Sequence, residues 1–75
     1  MVLDTRGDLC PVPVMKTSQA IKKLCVGDVL EVLATDPGSK SDIPAWVRMT
    51  GNELIDASEQ GASPKVYRFL IRRLK

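Results

Sequence analysis

Residues 28–35, Asp28-Val29-Leu30-Glu31-Val32-Leu33-Ala34-Thr35, alternate in the manner of a strand with one covered face. Leu30, Val32 and Ala34 fall on one side, and Val29, Glu31 and Leu33 on the other. The segment just upstream has a different period. Val14, Ser18, Ile21 and Cys25 recur at helical spacing, with Thr17, Ala20 and Leu24 beside them and Lys16, Lys22 and Lys23 largely off the stripe. The pattern predicts an amphipathic helix of about 13 residues, opened by Pro11 and Pro13 and closed by Gly27. Ahead of it, residues 2–6 favour a short strand that ends at Gly7-Asp8.

Downstream, Asp36-Pro37-Gly38-Ser39 reads as a turn, and a second helix follows with Ile43, Trp46, Val47 and Thr50 on its buried side. Two starts fit this helix: Asp42 as its cap with Pro44 in the first turn, or a start near Gly38 with Pro44 inside. The earlier start is preferred. Gly51 ends it. Residues 52–59 and 65–73 then form a hairpin around Gln60-Gly61-Ala62-Ser63-Pro64, with Tyr67, Phe69 and Ile71 alternating against Arg68, Leu70 and Arg72. The order β-α-β-α-β-β predicts an α+β fold, a two-layer sandwich of a four-stranded mixed sheet with two helices on one face.

A chain of 75 residues is read as a single domain, residues 1–75. With 44% hydrophobic and 27% charged residues it falls among ordinary globular chains rather than disordered ones. No apolar run approaches the roughly 20 residues a membrane helix needs. The first residues lack the pattern of a secretory signal, so the cytoplasm is the expected compartment. A net charge of +2 is too slight to indicate nucleic-acid binding by itself. Even so, Lys65, Arg68, Arg72, Arg73 and Lys75 crowd into the last stretch, which holds no acid.

The chemistry concentrates at Gly7-Asp8-Leu9-Cys10-Pro11-Val12-Pro13. With Cys10 at the cap of the first helix, the free N–H groups of the opening turn and the helix dipole would favour the thiolate, the reactive form. The two prolines would hold the sulfur at a fixed point. Cys25, on the apolar stripe near the helix end, is expected to be a packing residue. A helix between them would separate the two thiols by roughly 22 Å, where a disulfide needs Cα atoms within about 7 Å. Without a histidine there is no usual base for a cysteine hydrolase. Two distant cysteines make no zinc site, and no Cys-x-x-Cys is present for dithiol chemistry. No cofactor or metal is expected. What remains is group transfer by one exposed thiolate, for which a persulfide is well suited.

Leu3-Asp4-Thr5, Gly7, Cys10-Pro11, Pro13-Val14-Met15, Ala34-Thr35-Asp36-Pro37, Asp42-Ile43-Pro44 and Tyr67-Arg68-Phe69-Leu70-Ile71-Arg72 together resemble the TusA/SirA family of small sulfur-carrier proteins, over nearly the whole chain. The resemblance implies the same sandwich, and it implies that Cys10 carries sulfane sulfur as a persulfide. It further implies a cysteine desulfurase or rhodanese as donor and a relay protein as acceptor, serving tRNA thiolation, molybdenum cofactor assembly or sulfur oxidation. On this reading the chain is a carrier rather than a free-standing catalyst, monomeric when free, with no membrane and no direct nucleic-acid contact. Asp36 and Asp42 match acidic motif positions and are expected to cap the turn and helix. Lys16 is a candidate for steering anionic donors toward the thiolate. The alternative is a nucleic-acid-binding or regulatory module using the basic last strand; this sandwich is also similar to the C-terminal domain of the bacterial third translation initiation factor, but fold likeness says little about function.

Overall fold

A computed structural model describes residues 1–62 and 64–75. The elements run β1 (Val2–Thr5), α1 (Val12–Ile21), β2 (Val29–Ala34), α2 (Ser39–Thr50), β3 (Glu53–Gln60) and β4 (Val66–Arg72). The sheet order is β1-β2-β4-β3. β2 pairs parallel with β1 (Leu3 opposite Val32, Thr5 opposite Ala34) and antiparallel with β4 (Val32 opposite Phe69). β3 completes the sheet antiparallel to β4, with a bulge at Ile55 between Leu54 and Asp56. The result is the α+β sandwich expected from the sequence, a mixed sheet with both helices on one face. The turn expected over residues 60–64 includes Ser63, which lies outside the described residues.

The alternation of β2 sets the core. Leu30, Val32 and Ala34 are fully enclosed, and Phe69, Ile71 and Tyr67 of β4 lie beside them on the same face. Ile43 and Val47 of α2 and Ala20 and Ile21 of α1 close over this layer. Trp46 is half-buried against it, while Thr50 is exposed and turns its hydroxyl back to the Trp46 carbonyl. α2 takes the earlier of the two starts, with Pro44 inside it and Gly51 in the left-handed conformation at its end.

α1 is shorter than its periodicity suggests. It stops at Ile21, and its buried face is Pro13, Thr17, Ala20 and Ile21. Local groups compete for the backbone beyond that point. The Lys23 and Leu24 amides bond three residues back, and the Asp28 carboxylate accepts from the Cys25 amide. The Arg73 guanidinium donates to the carbonyls of Ile21, Lys22 and Leu24, groups that a longer helix would have engaged itself. Gly27, at φ 97°, ends this connection rather than the helix. Cys25 therefore lies in the loop and is exposed, which corrects the expectation that it packs in the core.

Arg73 thus ties the chain's last residues to the end of α1. Arg73→Ala is expected to lower stability by about 1–2 kcal/mol, read as a lower midpoint in urea unfolding with an unchanged slope.

Candidate functional site

Cys10 sits on the connection between β1 and α1, and its thiol is exposed. The connection is shaped by backbone bonds. The Thr5 carbonyl accepts from the Asp8 amide, and Gly7, at φ 89°, gives its amide to the Thr35 hydroxyl. A side chain at Gly7 would be strained in that conformation. The Cys10 amide donates to Asp36 Oδ2 at 3.0 Å, and the Cys10 thiol donates to Asp42 Oδ2 at 3.0 Å. Asp36 belongs to the β2–α2 connection and Asp42 to the first turn of α2. Two stretches far apart in sequence, the β1–α1 connection and residues 36–42, therefore meet at Cys10.

Gly38 lies close to this meeting point. A Cβ at that position would lie 3.1 Å from Asp36 Oδ2 and 3.7 Å from Cys10 Cβ. A methyl there would crowd the Asp36 carboxylate, which would have to give way slightly.

The electrostatics differ from the expected thiolate cradle. Helix α1 begins at Val12, with Pro11 at its cap, so Cys10 stands one position before the cap. Pro11 and Pro13 carry no N–H at all, and the Val12 amide is taken by the Leu9 carbonyl. The opening turn therefore cannot offer the sulfur the ring of free donors on which the expectation rested. The sulfur meets a carboxylate instead. The hydrogen bond to Asp42, some loss of hydration and the negative charges of Asp42 and Asp36 all push the Cys10 thiol above its ordinary pKa. At neutral pH the unloaded residue is held as a thiol.

The other named residues fall as follows. Asp36 and Asp42 do not cap α2, whose first residue follows Gly38 with no side-chain cap; they bond Cys10 instead. Parallel pairing of β1 with β2 was the signal that would have brought them to Cys10. Lys16 is paired with Asp8 at 2.6 Å rather than directed at the sulfur. In the basic strand, Arg68 pairs with Glu31 at 2.8 Å, Arg72 with Glu53 at 3.1 Å and Lys65 with Glu59 at 3.4 Å. With Arg73 turned onto the α1 carbonyls, the strand does not form an unbroken cationic face.

Leu9 and Met15, which flank the site in the chain, are exposed at 72% and 55%, so the sulfur stands beside apolar surface. A shallow hollow of about 160 Å³, lined by Lys40, Ala57, Ser58, Glu59, Tyr67 and Phe69, does not include Cys10. The thiol is presented outward rather than at the base of a small-molecule cleft. Among the described residues, no three His, Cys, Asp or Glu side chains gather as a metal site, and no helix is long and apolar enough to cross a membrane.

The family model described as sulfurtransferase TusA matches residues 1–73. A chain from Halobacterium salinarum, named as a candidate sulfur carrier protein, is 49% identical over 74 residues, covering 97% of this chain and 88% of its own. The sulfur carrier protein TusA of Allochromatium vinosum is 39% identical over 71 residues, covering 95% of this chain and 90% of its own. The crystal structure of a SirA-like protein from Desulfitobacterium hafniense shares the fold, with a TM-score of 0.79 over 96% of both chains at 20% identity.

Asp36 anchors the Cys10 backbone to the β2–α2 connection. Asp36→Ala is expected to speed hydrogen exchange at the Cys10 amide by about tenfold or more while leaving the circular dichroism unchanged, as amide-resolved exchange would detect.

Proposed function

The chain belongs to the sulfurtransferase TusA family, and from that premise we propose that it is a sulfur carrier whose cargo rides on Cys10 as a persulfide. The observation that supports this most is the placement of Cys10: an exposed thiol, fixed by its amide to Asp36 and followed by Pro11 and Pro13, at one end of the sheet. A thiol so presented can reach into the active site of a larger protein.

Loading is an exchange between sulfurs. A lone pair of Cys10 Sγ attacks the outer sulfur of a donor persulfide, so a new S–S bond forms as the donor's own S–S bond breaks. The bonding pair leaves with the donor's inner sulfur, which takes up the proton that Cys10 releases. Donor persulfide and Cys10 thiol become donor thiol and Cys10 persulfide, with no outside oxidant. Delivery reverses the roles at an acceptor thiol, whose sulfur attacks the outer sulfur of the Cys10 persulfide as Cys10 departs and takes up the acceptor's proton. A cysteine desulfurase or a rhodanese would serve as donor and a relay protein as acceptor. tRNA thiolation, molybdenum cofactor assembly and sulfur oxidation are the destinations this chemistry fits. We take residues 1–75 as one carrier domain that acts in the cytoplasm as a monomer.

The nucleic-acid reading is less well supported. The basic residues of β4 are matched by Glu31 and Glu53, and the sheet's aromatic residues Tyr67 and Phe69 face the core, where they cannot stack on bases.

Incubation with a desulfurase and cysteine, followed by intact mass measurement, tests the proposal. The wild-type chain is expected to gain about 32 Da per sulfur, and Cys10→Ser to gain none. Equal loading of Cys10→Ser would remove Cys10 from the role.

A further inference from the structure

The bond from Cys10 Sγ to Asp42 Oδ2, at 3.0 Å, joins the one sulfur of the site to a carboxylate on another element. A thiol donating to an ionised acceptor makes a charge-assisted bond, stronger than one to a neutral oxygen. The carboxylate is held there by the framework, since Asp42 rides on the first turn of α2 and Gly38, just before that turn, lies close to Cys10. Asp36 adds a second negative charge beside the Cys10 backbone. We propose that Asp42 regulates Cys10, keeping the unloaded residue as a thiol and favouring reaction partners that bring positive charge to the sulfur. For what Cys10 carries, this rests on the sulfur-carrier reading above; for how the thiol behaves, it does not.

The neighbouring charges leave Asp42 in control. On the β1–α1 connection Arg6 is paired with Asp4, and Asp8 with Lys16 of α1. On α2, Lys40 is paired with Glu59 of β3. The charges that act on Cys10 are those of Asp42 and Asp36, both negative, and they raise the thiol's pKa. A thiolate forming there is opposed by both carboxylates, whereas a cation arriving with the donor would neutralise them and release the nucleophile. In the loading step the Sγ proton leaves as Sγ bonds the donor's outer sulfur and is taken up by the departing inner sulfur. Such a carrier is quiet toward stray disulfides and anionic electrophiles and becomes reactive when a cationic partner docks.

Two methanethiosulfonate reagents of equal reactive group, one bearing trimethylammonium and one bearing sulfonate, test the charge preference. Neutral iodoacetamide tests the protonation state across pH. All are applied to the Cys25→Ser chain, in which Cys10 is the sole thiol. With each rate divided by that reagent's rate on free 2-mercaptoethanol, the cationic reagent is expected to react at least about threefold faster than the anionic one at low salt, with the ratio falling as salt is added. Adding Asp42→Asn should shrink that ratio, move the iodoacetamide profile toward lower pH and raise the neutral-pH rate by about threefold or more. Asp42→Glu, which keeps the charge, should retain the cation preference. A cation-to-anion ratio near one in the Cys25→Ser chain overturns the proposal without any change at Asp42. So does a pH profile unmoved by Asp42→Asn in a chain of native circular dichroism, the outcome for a purely structural aspartate. These reagents report on the bare thiol with no sulfur donor present, so failure here and failure of sulfur loading are separate results.

Discussion

Parallel pairing of β1 with β2 is the constraint on which the rest of the molecule depends. Parallel neighbours leave the sheet at the same end, so the β1–α1 and β2–α2 connections emerge side by side. One carries Cys10 and the other carries Asp36, with Asp42 one turn beyond it. An antiparallel β1 would have put these residues at opposite ends of the strand. The enclosed residues Leu30, Val32 and Ala34 hold β2 between its two neighbours, and a shift by one residue would turn this apolar face to solvent. The core therefore fixes the register, and the register brings the two connections together at the sulfur.

The site is built on opposition rather than activation. A cysteine near a helix start usually gains from unpaired amides and the helix dipole. In this chain the prolines on either side of Val12 remove two of those amides, and the carboxylate of Asp42 takes the thiol proton into a hydrogen bond. What the prolines contribute is a fixed backbone, and what Asp42 contributes is restraint. A carrier that must travel between partners with its thiol exposed benefits from such restraint, because an exposed thiolate would react with whatever disulfide it met.

Much of this was legible in the residues. Period two in residues 28–35 and in the last strand identified the covered face of the sheet, and Tyr67, Phe69 and Ile71 occupy it. Ile43 and Val47 marked the buried side of α2. The first helix was misjudged at its end, because apolar spacing carried on through Cys25 while Asp28 and Arg73 captured the backbone groups that would have extended it. Arg73 acts from across the chain, and no local pattern announces that. Asp36 and Asp42 were visible as acids but not as neighbours of Cys10, since capping is a local role and their actual contacts are long-range. The missing N–H groups of Pro11 and Pro13, by contrast, were written in the sequence and already argued against a thiolate cradle.

Both cysteines are exposed, so the location of the cargo is the point on which the account turns. The most direct measurement is peptide-level mass spectrometry of the wild-type chain after loading by a desulfurase, with persulfides trapped by alkylation before digestion. The account requires the added sulfur on the peptide containing Cys10 and none on the peptide containing Cys25. Added sulfur on Cys25, with Cys10 recovered as an unmodified thiol, would contradict it.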